Sequence, residues 1–325
     1  MADGLDVRVL ARTAPRMGVL PADVEIVLGD VSDPAAVANA IGGVDVVHHL
    51  AGAAHQSGSG ARIEELFERV NVTGTLNLAR AATTAGTPRL IIYSTIAVYG
   101  PSRSGETMDE SSPIRPVGAY ASSKAKAEAS AMTELGTRAT TLRLAAVIGP
   151  HMKANYRALV RAITRGRFVR VGPLSNRRTV VCETDVGNAA VLVGKSEAAL
   201  GKVFNVTDGR IHTLGEIVDA IAVAAGRRLP RWEVPLAPVI ALAGAADLVR
   251  RLGLPLPPAR ALLEKYLEDV AVSGDRLQQE LGFRPSTDVH GCFRAAINAE
   301  LDLDRIALET SARLEHRRDR SKDDL

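Results

Sequence analysis

Leu90-Ile91-Ile92-Tyr93-Ser94-Thr95 is an apolar run that ends in two hydroxyl residues. Its length and composition are typical of a buried β-strand. Ile96-Ala97-Val98-Tyr99-Gly100-Pro101 follows it and leaves the sheet at the carboxyl end of that strand. Ligands of open α/β sheets bind beside the carboxyl ends of the strands. The stretch therefore predicts a buried strand that presents Thr95 at a ligand-binding edge.

Similar short runs alternate with longer helical patterns on both sides of this strand. Strands are predicted at Val7 to Ala11, Val24 to Leu28, Val44 to Leu50, Leu90 to Ser94 and Thr141 to Val147. Helices are predicted at Ala35 to Ile41, Ile63 to Ala85 and Ala121 to Leu135, with Gly86 ending the second. This alternation indicates parallel βαβ units. The predicted fold class is α/β, with a Rossmann-type doubly wound parallel sheet covered by helices on both faces.

The pattern changes after Gly149-Pro150. The later segments are predicted as a helix at Asn155 to Gly166, strands near Phe168 to Val171 and Val203 to Val206, and a helix opening at Thr213 with Glu216 as its capping-box partner. The apolar run Val234 to Ala246 contains two prolines and is too short to span a membrane, so it is predicted to be a helix of a second lobe. The expected organisation is a Rossmann-like domain at 1–150, a smaller α/β substrate lobe at 151–308 that interleaves with the sheet, and a charged tail at 309–325.

The composition is that of a protein with a large core and excludes several classes. The 325 residues are 46% hydrophobic, and 40 basic residues nearly balance 37 acidic ones. A net charge of +3 gives a weak field and 3% aromatic residues leave few stacking platforms, so no nucleic acid partner is expected. Because the first residues are polar and no run can span a bilayer, a cytoplasmic protein without a membrane partner is expected. Cys182 and Cys292 lack metal-ligand spacing, so they are expected to be thiols in a reducing compartment, with no metal site.

Tyr120 and Lys124 are four residues apart on a predicted helix, so their side chains project from one face. A tyrosine with the ordinary pKa of about 10 is a poor acid–base group at neutral pH. A neighbouring ammonium favours the phenolate and lowers that pKa towards the working range. The pair alone fits an exposed helix start equally well, and the strand that ends in Thr95 favours the catalytic interpretation.

These segments, in this order, resemble the extended short-chain dehydrogenase/reductase family, specifically its NAD-dependent epimerase/dehydratase branch. The resemblance rests on the strand-end hydroxyl of Thr95, on Val98-Tyr99-Gly100 and on the Tyr-x-x-x-Lys helix, with 25 positions from Thr95 to Tyr120 as in sugar epimerases. It covers residues from about 5 to about 297. It implies that Thr95 holds the reacting oxygen, that Tyr120 exchanges a proton, that Lys124 and a cationic nicotinamide together lower the tyrosine pKa, and that Lys124 also binds the nicotinamide ribose.

The resemblance implies an NAD(P) cofactor and its contacts. Gly29-Asp30-Val31 resembles the adenine-contacting segment, His49-Leu50-Ala51-Gly52 the cofactor motif of the fourth strand, and Asn71 the family's helix asparagine. NAD-selective members carry an acid at the strand end that is Ala11 in this chain. Arg12 follows, where NADP-using reductases of the family place an arginine that can pair with a 2′-phosphate. NADP(H) is therefore expected ahead of NAD.

A nucleotide sugar is the substrate that the resemblance implies. Asn155 and Arg178 match the positions where sugar-nucleotide epimerases hold the nucleotide and its diphosphate, and a guanidinium can donate two charge-assisted hydrogen bonds to phosphate oxygens. The chain departs from the family at Leu142-Arg143-Leu144-Ala145-Ala146, which lacks the usual Pro and Asn after Leu-Arg. Epimerase, 4-ketoreductase and dehydratase chemistry all stay open, and a homodimer is compatible with the resemblance.

The glycine-rich turn that a dinucleotide fold needs after its first strand is missing from this sequence. Gly58-Ser59-Gly60 follows the wrong strand and has Ile63 where a third glycine would fall. The resemblance places Met1 near the end of the first helix, so a truncated or misassigned start is expected, with a non-catalytic pseudoenzyme as the alternative. A hydroxysteroid- or flavonol-type dehydrogenase, which needs an apolar pocket, is the other alternative, and Asn155 and Arg178 count against it.

Overall fold

The computed structural model describes residues 4–54, 60–87, 89–103, 105–230, 232–251 and 259–302. The chain forms two units, each built from three segments. Unit 1 comprises Met1–Ala145, Val186–Gly209 and Val270–Arg284, and unit 2 comprises Ala146–Asp185, Arg210–Asp269 and Pro285–Leu325. The boundary predicted near residue 150 stays a prediction. The predicted tail at 309–325 and most of the Gly58-Ser59-Gly60 segment lie outside the described residues.

Strands and helices alternate along the chain, as the sequence predicts. The strands are β1 Arg8–Ala11, β2 Glu25–Leu28, β3 Val46–His49, β4 Arg89–Thr95, β5 Ala139–Leu144, β6 Ala146–Ile148, β7 Arg177–Arg178, β8 Val180–Cys182, β9 Val203–Val206 and β10 His212–Thr213. The α-helices are α1 Pro34–Ile41, α2 Ala61–Phe67, α3 Gly74–Ala85, α4 Ala119–Leu135, α5 Ala154–Thr164, α6 Glu183–Lys195, α7 Leu214–Ala224, α8 Leu236–Arg251, α9 Ala259–Leu267 and α10 Asp275–Leu281. A further helical stretch covers residues 289–302.

Unit 1 is built on parallel strands. Four of them pair in the order β3-β4-β5-β9, and β1 pairs in parallel with β2. The central strand β4 is buried along most of its length because Leu90, Ile91 and Ile92 all lie in the core. Leu90 and Ile92 pack with small residues of the helices, among them Ala79 and Ala131. The predicted α/β class is confirmed, and β4 carries Thr95 at its carboxyl end.

Two of the predicted strands differ in the structure. The strand predicted at Thr141 to Val147 is wrong as a single element: the amide of Ala145 donates to the carbonyl of Val206, whereas the amide of Ala146 donates to Thr179, so the chain leaves one ladder and enters another. The strand predicted near Phe168 to Val171 is also wrong, because only an isolated bridge between Val171 and Val234 forms. Prolines follow closely on both sides of that bridge, and they cannot donate to a longer ladder.

The long helix predicted at Ile63 to Ala85 is divided by a π-helix over Glu68–Thr73, which joins α2 to α3. Gly86 ends α3 in the left-handed conformation, as predicted, with φ 69°. The capping box predicted at Thr213 and Glu216 is also confirmed, since each side chain bonds the other's backbone amide. These local features follow from single residues, whereas the π-helix has no such signal in the sequence.

Unit 2 has its own core, and it corrects the expectation for the two cysteines. Cys182 on β8 and Cys292 on the helix at 289–302 are both buried in that core, and their Cα atoms are 5.8 Å apart. That separation suits a disulfide, and the structure pairs the two residues, so the prediction of two free thiols was wrong. The two cysteines are 110 positions apart in the sequence, so their proximity could not be predicted from it.

The apolar run predicted to form a helix of the second lobe is confirmed as α8. In the part of the chain that the structure describes, no helix has the length and apolar character needed to cross a membrane. The same residues contain no cluster of three or more His, Cys, Asp or Glu side chains arranged to hold a metal ion.

Candidate active site

Thr95 and Tyr120 meet at the carboxyl end of β4. Thr95 is the last residue of the strand, and its hydroxyl accepts a hydrogen bond from the Ala97 amide at 3.2 Å. Tyr120 stands in the first turn of α4, which begins after Gly118. Gly118 has a φ of 84°, a conformation that side chains disfavour, and this allows the chain to turn sharply into the helix. The Thr95 side chain lies close enough to the Tyr120 phenol to act on its pKa.

Burial controls the protonation of Tyr120. The phenol ring packs edge-on against Phe67, with 6.0 Å between the ring centroids. Desolvation raises the pKa of Tyr120, and the Thr95 side chain only partly opposes this shift. The lowering expected from Lys124 is therefore not seen in this structure. The Tyr120 phenol therefore carries its proton at neutral pH.

Lys124 is buried one helical turn beyond Tyr120 and is directed at the sheet. Its ammonium donates to the Tyr93 carbonyl of β4 at 2.5 Å, which explains why it does not act on the Tyr120 phenol. Desolvation lowers the pKa of Lys124 to about 8, and the charge of Glu128 opposes the shift. A Cβ atom on Gly52 would lie 3.5 Å from the Lys124 Nζ atom and 3.4 Å from the Asn71 Oδ1 atom. Lys124, Gly52 and Asn71 therefore form one cluster.

Asn71 lies within the π-helix and connects three parts of the site. Its Oδ1 atom accepts from the Ala53 amide at 2.7 Å, and its Nδ2 atom donates to the Ala53 carbonyl at 3.1 Å and to the Ser123 hydroxyl at 2.8 Å. Ser123 in turn donates to the Tyr120 carbonyl at 2.8 Å. Single π-turns within helices frequently mark functional sites. The network fixes the loop after β3 against the helix that carries Tyr120.

Two buried polar residues, His49 and Thr75, lie beneath this cluster. His49, the last residue of β3, lies with its Nε2 atom 2.8 Å from the Thr75 hydroxyl, which donates to the Asn71 carbonyl at 2.5 Å. Desolvation, together with the charge of Lys124, lowers the pKa of His49 to about 3, so its ring is neutral. The sequence placed His49 in the cofactor motif, whereas its burial and its bond with Thr75 were not predicted.

A buried ion pair supports α4 from the sheet side. The Arg143 guanidinium of β5 donates to both carboxylate oxygens of Glu128, the closest contact being 2.7 Å. It also donates to the Tyr99 hydroxyl at 2.8 Å, and that hydroxyl donates to the Asn205 side chain at 2.8 Å. Glu128 follows Lys124 by one turn. Arg143 was noted in the sequence only as part of a departing motif, and its partner was not predicted.

The residues predicted to contact the adenosine part of a cofactor lie at the carboxyl ends of β1 and β2. The Asp30 carboxylate accepts from the Ser32 amide and hydroxyl, both at 2.8 Å. These hydrogen bonds lower the pKa of Asp30, and the charges of Arg12 and Arg69 add to the effect. Arg12 itself is exposed. Val31 is buried in the core, so only its backbone is available to a ligand.

The end of β3 is open, as a cofactor-binding edge requires. Leu50 is 67% exposed and Ala51 is exposed as well. Gly29, before Asp30, cannot carry a side chain because an added Cβ would come within 2.5 Å of the Ala36 Cβ atom. A Cβ atom on Gly52 would make only ordinary contacts with Asn71 and Lys124. Gly29 thus lets α1 pack closely against β2, and the end of β3 is open at Leu50 and Ala51.

The two predicted substrate residues belong to unit 2. Asn155 is exposed at the start of α5. The Arg178 guanidinium donates to backbone carbonyls at the end of α9, namely those of Lys265 at 3.0 Å, Tyr266 at 2.9 Å and Glu268. Arg178 therefore holds α9 in place. Its predicted contact with a diphosphate stays a prediction.

Comparison with known proteins identifies a family whose model matches more than half of the chain. The model of the NAD-dependent epimerase/dehydratase family matches residues 1–207. UDP-glucose 4-epimerase from Vibrio cholerae is 29% identical over 219 residues, covering 64% of this chain and 66% of the relative. A 4-hydroxy-2-methyl-3-oxo-4-farnesyl-3,4-dihydroquinoline-1-oxide ketoreductase from Stigmatella aurantiaca is 28% identical over 295 residues, covering 87% of this chain and 86% of the relative.

The solved structures agree with this assignment. The crystal structure of Thermus thermophilus UDP-glucose 4-epimerase in complex with NAD matches with a TM-score of 0.67 and 26% identity, covering 92% of both chains. Several curated relatives match over less than two thirds of their own length, from 56% to 66%. The matched residues 1–207 include Thr95, Tyr120 and Lys124.

Proposed function

This chain belongs to the NAD-dependent epimerase/dehydratase family, and we propose that it is an NAD(P)-dependent epimerase or 4-ketoreductase/dehydratase of a nucleotide sugar. The observation that carries the proposal is the meeting of Thr95 and Tyr120 at the end of β4, with Lys124 one turn away. Such a hydroxyl, phenol and ammonium form an acid–base site beside the edge where ligands of α/β sheets bind.

The residues at the strand ends fit a nicotinamide dinucleotide. The open end of β3 and the side-chain-free position at Gly52 leave room for a ribose beside Lys124 and Asn71. Asp30 and the Val31 backbone would hold the adenosine part. When bound, the nicotinamide ring supplies or accepts a hydride. Arg12 supports NADP(H) over NAD, because an exposed guanidinium beside the adenosine site can pair with a 2′-phosphate.

The proton chemistry belongs to Tyr120. Because burial keeps its phenol protonated at neutral pH, Tyr120 donates a proton from its hydroxyl to a substrate oxygen in the reducing direction. The Thr95 hydroxyl hydrogen-bonds the same oxygen and aligns it with the phenol. Lys124, whose ammonium is held at the Tyr93 carbonyl beside Gly52 and Asn71, would bind the nicotinamide ribose. In the oxidising direction Tyr120 takes the proton back.

Two observations support a nucleotide sugar. Asn155 is exposed on unit 2, and Arg178 places a positive charge beside Tyr156, next to Asn155 in the chain. The relative from Vibrio cholerae and the structural neighbour from Thermus thermophilus are both named as UDP-glucose 4-epimerases. The absence of the family's usual asparagine at Ala146 leaves the sugar and the reaction type open.

The test begins with the purified chain and both cofactors. Titration with NAD⁺ and NADP⁺ is expected to show saturable binding, and incubation of the loaded protein with a panel of UDP- and dTDP-sugars is expected to give an epimer or a 4-keto product, detected by NMR. Lys124→Met is expected to weaken cofactor binding, whereas Lys126→Met, two residues along α4 and exposed, is the matched control. Failure to bind either cofactor would favour the pseudoenzyme.

A second candidate function is the reduction of a ketone on an apolar substrate. The ketoreductase from Stigmatella aurantiaca matches over 86% of its length, whereas the Vibrio epimerase matches over 66%. The Arg178 guanidinium also donates its hydrogen bonds to carbonyls at the end of α9, which leaves it fewer donors for a diphosphate. Turnover of hydrophobic ketones but no nucleotide sugar in the same assay would select this function, which uses the same Tyr120 proton.

A further inference from the structure

Helix α8 is apolar on nearly all sides up to residue 249, with Asp247 as its one charged residue in that stretch. Ala243 is its buried contact, and the Asp247 carboxylate faces α9, where it accepts hydrogen bonds from the amides of Ala259 at 2.9 Å and Arg260 at 3.3 Å. These bonds cap the start of α9. The helix is therefore anchored to its neighbour by one narrow stripe and one carboxylate.

The outward side of α8 is entirely apolar between residues 237 and 249. Every exposed residue of this stretch is hydrophobic or proline, and we refer to the set as the α8 face: Ala237, Pro238, Ile240, Ala241, Leu242, Ala245, Leu248 and Val249. Leu242 is 71% exposed and Leu248 is 61% exposed. Contiguous apolar surface of this kind on a folded protein marks a contact with a protein or a membrane.

Arginines precede and follow α8 in the sequence, and their charge distinguishes a membrane from a protein as the partner of the α8 face. Residues 227–251 contain five arginines against the two acidic residues Glu233 and Asp247, a surplus of three that equals the net charge of the whole chain. Arg227 and Arg228 before the helix and Arg250 at its end are exposed, and so is Trp232. A second copy packed antiparallel on this face would bring arginine-rich ends together, whereas an anionic lipid surface would pair with them.

We propose that α8 docks on a bilayer surface that contains anionic phospholipids. The α8 face enters the boundary between headgroups and acyl chains, the arginines contact lipid phosphates, and Trp232 lies at headgroup level. Sixteen residues of helix measure about 24 Å, shorter than the ~30 Å hydrocarbon core, so the helix lies along the surface and does not cross it. The proposal is independent of the proposed function, since docking needs neither cofactor nor substrate.

Vesicle flotation of the purified full chain tests this proposal. Binding to phosphatidylcholine vesicles that contain phosphatidylglycerol is expected to exceed binding to pure phosphatidylcholine vesicles, and added salt is expected to reduce the difference. Leu242→Gln combined with Leu248→Gln is expected to lower the partition coefficient by about ten-fold or more, because two large apolar side chains no longer enter the bilayer. Arg250→Gln is expected to lower it by about five-fold on the anionic vesicles alone.

Val117→Gln is the matched control, because Val117 is also 71% exposed but lies in unit 1. Circular dichroism spectra and thermal unfolding establish whether each variant is folded. If the double variant is not folded, Leu242→Gln alone replaces it in the flotation assay. The proposal is overturned if wild type does not float with anionic vesicles, or if the α8 variants float as wild type does. Loss of a dimer in the Leu variants, without vesicle binding by wild type, would assign the face to a second copy instead.

Discussion

Replacing Arg143 by methionine is expected to destabilise the protein by about 3–5 kcal/mol, because it leaves a buried carboxylate without its partner. The side chains of Arg143 and Glu128 are 5% and 6% exposed, so water cannot replace the lost contacts. Glu128 loses hydrogen bonds of 3.2, 3.1 and 2.7 Å, and the Tyr99 hydroxyl loses its donor at 2.8 Å. Methionine fills most of the volume of the Arg143 side chain, so the decrease in the free energy of unfolding comes mainly from the lost charge.

Urea unfolding followed by circular dichroism gives the free energy of unfolding for this comparison. Lys126→Met is the matched control, since Lys126 also lies on α4 and its pair with Glu68 is 3.1 Å long but exposed. Surface pairs of this kind contribute at most about 1 kcal/mol. Glu128→Gln combined with Arg143→Met is expected to recover part of the stability, because the unpaired carboxylate is gone while the buried Lys124 loses the charge of Glu128. A loss for Arg143→Met no larger than that for Lys126→Met would refute the reasoning.

Three further predictions concern protonation, cofactor choice and the cysteines. Because the pKa of His49 falls from its ordinary 6.5 to about 3 on folding, the unfolded chain binds more protons between these values, and stability is lost as the pH falls through this window. His49→Gln is expected to flatten that part of the urea-unfolding pH profile, and an unchanged profile would contradict a neutral buried ring. Arg12→Ala is expected to lower the affinity for NADP⁺ relative to NAD⁺ by about ten-fold, with the nearby Arg16→Ala as control; an unchanged ratio, or tighter NAD⁺ binding by wild type, would contradict the NADP(H) preference. Thiol titration of the unfolded, unreduced protein is expected to find neither Cys182 nor Cys292 free, and reduction is expected to lower the free energy of unfolding by about 2–4 kcal/mol; two thiols before reduction would count against the disulfide.

The sequence predicted the elements that periodicity and single residues determine. Apolar runs bounded by helical patterns located the strands of unit 1, and Gly86 ended its helix where expected. Thr95 and Tyr120 could be paired because one ends the central strand and the other opens the following helix. A motif that spans a strand and the next helix is visible in a single sequence, since both ends are fixed by local structure.

The parts that could not be predicted depend on contacts between distant segments. Glu128 and Arg143 are ordinary charged residues in the sequence, and only the packing of α4 on β5 buries them together. The direction of the Lys124 ammonium, towards the Tyr93 carbonyl and not the phenol, likewise depends on how α4 lies on the sheet. Desolvation raises the pKa of Tyr120 for this reason, since the charge of Lys124 points elsewhere; the lower pKa expected with a bound nicotinamide stays a prediction.

The central claim, that Tyr120 transfers the proton in a nicotinamide-dependent reaction, is tested most directly by the turnover of Tyr120→Phe. With a substrate that wild type converts, the variant is expected to lose about 10²–10⁴-fold in turnover while its dissociation constant for the cofactor stays near that of wild type. Tyr93→Phe is the matched control, because the Tyr93 hydroxyl lies 3.0 Å from the His48 Nδ1 atom and takes no part in the proposed proton transfer. Near-normal turnover in Tyr120→Phe, or an equal loss in Tyr93→Phe, would contradict the claim.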